Sequence, residues 1–443
     1  MPAQPPSPPN PRRIAATVLA RIDRDQAFAA PVLDAEIARY PQLSPRDRAL
    51  ATELAYGSLR VRPWLEMRLN ALASRGIGKL DPLVRAHLTI ASYQLAFLSR
   101  VPAFAAVNEC VSAIRSLNGP QVAAFANAVL RKLSRELLAE PANLTDAVSQ
   151  SVDPWLRDAL TRSLGSDGAS AFIAASAEVP PVGLRVDSGD REEVAARVRE
   201  LSPDADVCLG LISPRAVLVR DGGRVADLPG YGVGWSIQEE GSQVVALSLG
   251  AKKGEVVLDA CAGRGNKSAL LIGEVGDGAV DAADLHASKL ARLQRELAQI
   301  GRAVRSTFAV DWSIGKGELG LYDRVLVDAP CSGIGTIRRR PELALRRTAE
   351  SIATLSNLQT AILSRTAETV KPGGSLVYAV CSVLREEGED VVERFLAQSP
   401  DFTAAPFDSP VAERLAQGGA SFRLLPHQHG TDGYFVASFR RTR

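Results

Sequence analysis

The spacing of apolar residues predicts helices over the first third of the chain. Between residues 11 and 140, apolar residues recur at intervals of three and four, as in Ile14, Val18 and Leu19. This spacing places them on one face of a helix. Turn-forming residues, such as the run Asn118-Gly119-Pro120, separate the helical segments. No alternating strand pattern interrupts them, so we predict an all-α domain over residues 11–140.

The pattern changes on both sides of this domain. Residues 1–10 are rich in proline and lack an apolar stretch, which predicts a disordered tail. Over residues 141–232, two helical stretches precede an alternating segment at 182–186, a helix at 192–201 and a second strand at 216–220. Short strands mixed with helices predict a small α+β module.

From residue 233 to the end, strands and helices alternate. The predicted strands occupy residues 256–261, 279–285, 306–310, 324–328, 375–381 and 434–439, with helices between them such as 287–300 and 350–370. This alternation is typical of βαβ units and predicts a Rossmann-like α/β domain with a mostly parallel sheet. Because ligands bind at the carboxyl ends of the strands in such sheets, the residues directly after each strand are candidates for a functional site.

The first strand of this domain leads into a glycine-containing loop. Gly263 and Gly265 permit a tight turn and a close approach of the backbone to a ligand, and the following helix directs free N–H groups at it. Asp284, near the end of the second strand, can accept hydrogen bonds from ribose hydroxyls, and Asp311, after the third strand, is placed to bind an adenine amino group. Ser268 stands where a dinucleotide-binding loop has its third glycine, but this pattern alone leaves both S-adenosylmethionine and NAD open as ligands.

Two cysteines follow the fourth and fifth strands. Cys331 lies in the run Asp328-Ala-Pro-Cys-Ser, and Cys381 ends the run Tyr-Ala-Val-Cys. A single free cysteine is usually just a small buried apolar residue, but two at adjacent strand ends can face one site. A thiolate that adds to carbon 6 of a pyrimidine makes carbon 5 nucleophilic enough to accept a methyl group, and Asp328 is the natural acid near ring N3. The pair therefore favours methylation of pyrimidine carbon 5, while the spacing leaves open which cysteine attacks.

The composition indicates the redox state of the thiols and the cellular compartment, but it does not indicate the reaction. The 443 residues carry a formal net charge of +2, which neither indicates nor excludes nucleic-acid binding because local patches decide it. The five cysteines form no disulfide framework and, with the four histidines, no zinc pattern. We therefore expect reduced thiols, no metal and a cytoplasmic setting. No secretory signal and no apolar stretch long enough for a membrane span is apparent, so we expect no membrane association.

A basic run follows the fourth-strand motif and comprises Arg338, Arg339, Arg340, Arg346 and Arg347. Charged runs are more often solvated faces, but its position next to Cys331 predicts contacts with RNA phosphates beside the target base. A weaker candidate for an RNA face in the helical domain comprises Arg85, Arg131 and Lys132.

These motifs resemble the Nol/Nop/Sun family of RNA (cytosine-C5) methyltransferases, and in particular its bacterial 16S ribosomal RNA members. The resemblance in the α/β domain rests on the two cysteine motifs, the approach Trp235-Ser-Ile-Gln-Glu-Glu-Gly-Ser-Gln243 and the ending Asp432-Gly-Tyr-Phe435. The helical region is similar to the NusB RNA-binding fold in Arg48-Ala-Leu-Ala-Thr-Glu-Leu-Ala-Tyr-Gly57, Ala106-Val-Asn-Glu109 and Asn127-Ala-Val-Leu-Arg131. The segment Pro180-Pro-Val-Gly-Leu-Arg185 looks like the small RNA-binding insert of the family.

The resemblance implies roles for individual residues. Cys381 is then the nucleophile, Cys331 assists proton removal and release of the product, and Asp328 contacts the cytosine. The cofactor is S-adenosylmethionine, and the residues implied to hold it are Cys261, Ala262, Gly263, Arg264, Gly265, Asn266, Lys267, Asp284, Asp311 and Asp328. The implied partner is RNA, most plausibly ribosomal RNA. No second chain is needed to complete such a site, so we expect a monomer.

The sequence departs from the family pattern at two places. The usual Pro-Gly-Gly-Lys of the cofactor loop reads Arg264-Gly-Asn-Lys267, and Val380 replaces the usual threonine before the second cysteine. Arg264 adds positive charge beside a cationic sulfonium, so one alternative is a non-catalytic RNA-binding scaffold with a degenerate cofactor loop. A DNA cytosine methyltransferase, with its nucleophile at Pro330-Cys331, is disfavoured by the Cys381 motif and the NusB-like region. A nucleotide-dependent oxidoreductase is disfavoured by the missing glycine and the paired cysteines.

Overall fold

The computed structural model describes residues 10–443. The tail predicted over residues 1–10 therefore lies outside the described residues except for Asn10, whose side chain accepts a hydrogen bond from the Arg12 amide and caps the first helix. The chain divides into two compact units. Among the described residues, the first comprises the chain from Asn10 to Arg157, Ile173–Glu178 and Ile337–Arg346, and the second comprises Asp158–Phe172, Val179–Thr336 and Arg347–Arg443.

The first unit is helical, as the apolar spacing predicts. Its helices are α1 (Pro11–Asp25), α2 (Ala29–Ala38), α3 (Pro45–Arg60), α4 (Arg62–Leu72), α5 (Pro82–Phe97), α6 (Ala103–Ala139) and α7 (Leu144–Ser151). Side chains of Ser44, Asp81 and Asn143 accept hydrogen bonds from the first backbone amides of α3, α5 and α7, and thereby stabilise these helix starts. Helix α6 is broken at Gly119, with φ of 82°, at the predicted turn.

The core of the first unit forms between α1, α3 and α5. Helix α5 buries nearly all of its middle turns, and α1 contributes Ile14, Val18 and Leu19 from the predicted face. Helix α5 is therefore a core helix of this unit. Within residues 10–443, none of the helices combines the length and the apolar character that crossing a membrane requires.

The second unit begins with a small antiparallel sheet. Helix α8 (Pro154–Ala175), broken at Gly165, precedes β1 (Val182–Val186), α9 (Arg191–Leu201), β2 (Asp206–Leu209), β3 (Ala216–Arg220) and β4 (Trp235–Ile237). The strands follow the order β2-β3-β1-β4. The sheet confirms the predicted α+β character. Its last strand, β4, lies beyond residue 232, where the predicted module ends. The prediction missed this strand because three residues are too few to show an alternating pattern.

A larger sheet follows and carries the candidate site. Its elements are α10 (Glu240–Leu247), β5 (Val256–Asp259), α11 (Asn266–Val275), β6 (Ala279–Asp284), α12 (Ala287–Gln299), β7 (Ser306–Ala309), β8 (Tyr322–Asp328), α13 (Glu342–Arg346), α14 (Ala349–Ala367), β9 (Val370–Val380), α15 (Glu389–Gln398), β10 (Phe402–Ala404), α16 (Pro410–Ala416), β11 (Ser421–Leu424), α17 (Pro426–His429) and β12 (Tyr434–Arg441). Of these, α13 belongs to the first unit.

The strand order of this sheet is β10-β12-β9-β8-β5-β6-β7, and β11 pairs with β12. Strands β5 to β9 run parallel, and β10, β11 and β12 pair antiparallel. All six predicted strands are present, and the prediction of a mostly parallel sheet is confirmed. Strands β8 and β9 are direct neighbours, with Asp328 opposite Ala379. This adjacency brings the two cysteine motifs to the same edge.

Candidate active site

The two thiols expected to share a site do so. Cys331 follows β8 and Cys381 follows β9, and their Sγ atoms lie 3.2 Å apart. Both residues are partly exposed and thus accessible from solvent. The hydrogen bond with Cys381 and burial raise the pKa of Cys331 well above its usual range, and the charges of Glu387 and Asp328 add to the effect. Cys331 is therefore held in its neutral thiol form at neutral pH.

Close backbone packing fixes the positions of the two cysteine loops. We define the Cys331 loop as residues 329–336 and the Cys381 loop as residues 381–388. The Gly335 amide donates to the Cys381 carbonyl at 3.1 Å, and the Gly433 amide donates to the Gly335 carbonyl at 2.7 Å. A Cβ on Gly335 would lie 2.0 Å from the Gly433 oxygen, so only glycine fits there.

An ion pair joins the cofactor-type loop to the Cys331 motif. Lys267 Nζ lies 2.5 Å from Asp328 Oδ2, and both side chains are largely buried. Burial lowers the pKa of Lys267, but Asp328, Asp259 and Cys381 raise it by more, so the net shift is upward. Lys267 therefore remains a cation within electrostatic reach of Cys381.

The loop after β5 has the geometry of a ligand cradle. Gly263 and Gly265 have φ of 55° and 84°, and a Cβ on Gly265 would lie 2.7 Å from Leu293 Cγ. Asp284 accepts hydrogen bonds from the amides of Gly263, at 3.1 Å, and His286, at 2.9 Å. Since each carboxylate oxygen accepts more than one hydrogen bond, Asp284 retains capacity for ribose hydroxyls. Helix α11 starts directly after Gly265, which has no side chain to cap its amides.

Asp259 is a site residue that the sequence reasoning missed. It is 1% exposed at the end of β5 and accepts a hydrogen bond from Ser268 Oγ at 2.6 Å. Its Oδ1 is buried and has no hydrogen-bond partner. Burial raises the pKa of Asp259 to about 6. A buried, unsatisfied acceptor next to the loop is the kind of atom that a bound polar ligand satisfies, so the cradle fits a nucleoside-containing cofactor.

The remaining residues of the predicted cofactor set occupy different environments. Cys261 and Ala262 form the turn after β5, and burial raises the pKa of Cys261 well above its usual range. Asp311 is exposed, and its Oδ1 accepts hydrogen bonds from the amide and hydroxyl of Ser313. Asn266 is exposed at the start of α11, and its carbonyl accepts a hydrogen bond from Arg185 at 2.8 Å.

Arg264 is directed at a carboxylate. Its Nη2 lies 2.8 Å from Glu296 Oε1 and its Nε lies 3.3 Å from Oε2, an arrangement in which both carboxylate oxygens are used. The side chain is 59% exposed. The positive charge that the sequence places near the sulfonium is therefore partly offset by Glu296.

The segments 180–185 and 235–243, which were noted above only for their resemblance to the family, contribute hydrogen bonds that connect parts of the second unit. Arg185 is 1% exposed and links the small sheet to α11 through the Asn266 carbonyl. Glu239 accepts hydrogen bonds from the Asp432 amide at 2.9 Å and the Tyr434 hydroxyl at 3.1 Å. The approach to α10 is thereby bonded to the start of β12, and Gly433, directly before β12, packs against the Cys331 loop.

The basic run after the Cys331 loop splits into different environments. Arg338 is 4% exposed, too little for its side chain to reach an RNA phosphate in this structure. Arg339 is partly exposed, whereas Arg340 is exposed and its side chain is accessible to solvent. Arg347 donates to the Ser332 carbonyl at 2.9 Å and thus stabilises the Cys331 loop itself.

Arg346 has a structural role within the first unit. Its guanidinium donates to the carbonyls of Gln26, at 2.9 Å, and Ile22, at 3.3 Å, and lies 5.6 Å from the Phe28 ring centroid. It therefore satisfies carbonyls at the end of α1. Of the weaker basic candidates, Arg85 pairs with Asp23 at 2.7 Å, whereas Arg131 and Lys132 are exposed.

The sheet order, the ligand cradle and the thiol pair define a Rossmann-like methyltransferase. The family model "16S rRNA methyltransferase RsmB/F" matches residues 246–440, and the NusB family model matches residues 9–135. The chain is similar to a Synechocystis protein named probable ribosomal RNA small subunit methyltransferase B, with 32% identity over 97% of this chain and 99% of that protein. It is similar to the Pseudomonas putida ribosomal RNA small subunit methyltransferase B, with 33% identity over 97% and 98%.

Solved structures share the fold. The crystal structure of PH0851 has a TM-score of 0.82 at 24% identity and covers 99% of this chain and 100% of its own. A methyltransferase homolog from Pyrococcus horikoshii has a TM-score of 0.55 at 24% identity, over 67% of this chain and 98% of its own. The chain belongs to the 16S rRNA methyltransferase RsmB/F family and is an RNA methyltransferase. The predicted NusB-like and Rossmann-like folds are confirmed. S-adenosylmethionine is the standard methyl donor of the family.

Proposed function

We propose that this chain methylates carbon 5 of a cytosine in 16S ribosomal RNA through a covalent adduct with Cys381, using S-adenosylmethionine. The observation that carries the proposal is the 3.2 Å separation of Cys331 and Cys381 at adjacent strand ends. A covalent mechanism explains why two thiols lie together: one thiol forms the adduct with the base, and the other assists its release. A purely structural role does not require the second thiol.

The charges around the thiols support Cys381 as the nucleophile. Lys267 is a cation near Cys381, and Glu387 and Asp328 are acids that raise the pKa of Cys331. A nearby cation favours the thiolate and nearby anions favour the thiol. Cys381 is thus the thiol better suited to attack, in agreement with the family resemblance.

The reaction then assigns a task to each residue. The Cys381 thiolate adds to carbon 6, while Asp328, paired with Lys267, contacts the N3 edge of the ring and assists the addition. S-adenosylmethionine, when bound, would supply the electrophilic methyl group for carbon 5 and leave as S-adenosylhomocysteine. A base, assisted by Cys331, then removes the carbon 5 proton. The electrons of that C–H bond restore the ring double bond as the bond between carbon 6 and sulfur breaks, which returns the Cys381 thiolate.

The residues around the β5 loop fit the cofactor that this reaction needs. Asp284 is placed for the ribose hydroxyls, the start of α11 for a polar group of the ligand, and Asp259 offers a buried acceptor. The exposed Arg340 provides a positive charge that can contact phosphates of the RNA.

Bisulfite sequencing of 16S ribosomal RNA from cells with and without the gene tests the proposal. We expect one cytosine to be protected in the parent strain and converted in the deletion strain, with protection restored by the intact gene. A gene with Cys381→Ala should not restore it. If no cytosine changes between the strains, the proposal is wrong, and a non-catalytic scaffold with a degenerate cofactor loop becomes the better account.

A further inference from the structure

A buried carboxylate lies behind the two thiols. Glu387 is 0% exposed, six positions after Cys381, in a 3₁₀ turn formed by Arg385–Glu387. Its Oε1 accepts hydrogen bonds from the Ser332 amide at 2.8 Å and Gln359 Nε2 at 2.9 Å, and its Oε2 accepts one from Ser332 Oγ. The carboxylate of the Cys381 loop is therefore bonded to the residue that directly follows Cys331.

Gln359 extends this contact to the other side of Cys331. Its Nε2 also donates to the Pro330 carbonyl at 3.0 Å, and its Oε1 accepts a hydrogen bond from the Tyr378 hydroxyl at 3.2 Å. The same hydroxyl lies 2.7 Å from the Glu387 carbonyl. The residues before and after Cys331 are thus both held by one buried network, which is anchored on β9 and α14.

Burial of the Glu387 carboxylate has a free-energy cost that apolar packing at the same position would not have. All three donors to the Glu387 carboxylate are neutral groups, so its charge is balanced by hydrogen bonds and not by a bonded cation. Burying a carboxylate in this way costs free energy that only a complete set of hydrogen bonds offsets. An apolar residue of similar size fills the same volume without this cost, but provides no directional contact to Ser332.

We propose that Glu387 is a positioning residue that holds the Cys331 loop against the Cys381 loop and so keeps the two thiols at hydrogen-bonding distance. Its consequence for catalysis rests on the proposed function, because that function requires Cys331 to act on the adduct that Cys381 forms. The charge of Glu387 works in the same direction, since it helps to keep Cys331 protonated while Cys381 attacks.

Replacing Glu387 by glutamine tests this role with little change of volume. If the amide oxygen keeps the position of Oε1, the NH2 group faces Ser332 Oγ, a hydroxyl that can accept as well as donate, so the substitution reverses one hydrogen bond and removes the charge. The matched control is Glu386→Gln, which changes the same charge one residue earlier, where Glu386 pairs with Arg162 at the surface, 2.8 Å away. Thermal unfolding of both variants establishes that each is folded.

The first measurement needs neither RNA nor cofactor. Alkylation of Cys331 and Cys381 by iodoacetamide is followed against pH by mass spectrometry of the two peptides in the full-length protein. In Glu387→Gln we expect the midpoint for Cys331 to move to lower pH by about 0.5 unit or more, while Glu386→Gln matches the parent protein. An unchanged midpoint in a folded Glu387→Gln protein overturns the positioning role.

The second measurement follows the reaction. We expect Glu387→Gln to bind cofactor and RNA as the parent does, but to slow single-turnover methylation about 10- to 100-fold, with covalent protein–RNA adduct accumulating. A loss of stability with an unchanged rate per folded molecule means a structural role only and contradicts the inference. If the parent protein itself forms no methylated cytosine, the proposed function fails, while the alkylation result still decides the positioning role.

A second variant covers the case in which Glu387→Gln does not fold. Ser332→Ala removes the hydroxyl donor but keeps the amide donor and the charge of Glu387, so it weakens only the contact between the two loops. If this contact holds the thiols together, the hydrogen bond between Cys331 and Cys381 loosens, and we expect the Cys331 midpoint to move to lower pH by a smaller amount. A folded Ser332→Ala protein with no shift and an unchanged methylation rate overturns the proposal.

Discussion

Lys267 and Asp328 form an ion pair of 2.5 Å between the cofactor-type loop and the motif that carries Cys331. The two residues come from different strand ends, after β5 and at the end of β8. Because both side chains are largely buried, the removal of either leaves a charge without its partner, which costs more than the loss of a surface pair. The pair therefore connects the place where the cofactor is expected with the place where the base is expected.

Replacing Lys267 by methionine should lower single-turnover methylation by about 100-fold, because Asp328 loses its partner and Cys381 loses the nearby cation. The comparison is Lys289→Met, which removes a lysine whose side chain is half exposed, 3.5 Å from Asp284. An equal effect of the two substitutions contradicts a specific role for Lys267.

Gly335 should tolerate no side chain. Alanine at this position places a Cβ 2.0 Å from the Gly433 carbonyl oxygen and 3.0 Å from that of Cys381, and the backbone has to move. We expect Gly335→Ala to separate the two cysteine loops and to lose most activity, together with about 1–3 kcal/mol of stability. Urea unfolding and methylation assays measure the two effects.

Gly320→Ala is the control for this substitution. Gly320 has no atom within 4 Å of an added Cβ and no positive φ, so alanine fits there. We expect its stability and activity to equal those of the parent. Wild-type activity in Gly335→Ala would mean that the loop packing around Cys331 is more tolerant than the distances indicate.

Titration of the Asp259 carboxyl group should lower the free energy of unfolding as the pH rises from about 4 to about 6. Burial raises its pKa from 3.8 to about 6, so over this range the native state keeps a proton that the unfolded state has released. The native state therefore binds more protons, and the free energy of unfolding decreases with pH by up to about 3 kcal/mol. Above pH 6 this contribution is constant.

Urea unfolding at pH 4 and pH 7 checks the contribution of Asp259. In Asp259→Asn the group no longer titrates, so the difference in stability between the two pH values should shift in favour of pH 7 compared with the parent. Asp311→Asn, at an exposed position, should leave the difference nearly unchanged. If Asp259→Asn shows the same pH dependence as the parent, Asp259 does not titrate in this range.

The Arg264–Glu296 pair should control how strongly Arg264 disturbs cofactor binding. Arg264→Ala should change the affinity for S-adenosylmethionine by less than about fivefold, because Glu296 already offsets the charge. Glu296→Gln should weaken binding more, since it frees the guanidinium, and the double variant should resemble Arg264→Ala. Isothermal titration calorimetry measures all three. Stronger weakening in Arg264→Ala than in Glu296→Gln would mean that Arg264 itself contacts the cofactor.

The sequence predicted the elements with a strong periodic pattern and missed the short ones. The five parallel strands β5 to β9 and the antiparallel strand β12 were all recognised, because alternation or an apolar run marks them. Strands β10 and β11 were not predicted, because β10 has only three residues and the four residues of β11 contain only two apolar positions, Phe422 and Leu424. The boundaries proposed at residues 141 and 233 remain predictions.

The site residues that belong to short local sequence motifs could be predicted from the sequence. Cys331, Cys381 and the glycine loop follow strands, and the neighbouring positions of β8 and β9 brought them together as expected. Asp259 was overlooked because it ends a buried strand, and Glu387 because its partner Ser332 is 55 residues away. Arg338 and Arg346 look like a basic patch in sequence, but burial and carbonyl contacts take up their side chains. Contacts of this kind become visible only when the chain is folded.

Trapping of the covalent intermediate tests the central claim most directly. The full-length Cys331→Ala and Cys381→Ala proteins are each incubated with 16S ribosomal RNA and S-adenosylmethionine, and denaturing gels detect protein crosslinked to RNA. We predict that Cys331→Ala accumulates the crosslinked species, because the adduct forms but is released slowly, and that Cys381→Ala forms none. Crosslinks in Cys381→Ala but not in Cys331→Ala would mean that the two cysteines have exchanged roles, and crosslinks in neither would contradict a covalent mechanism.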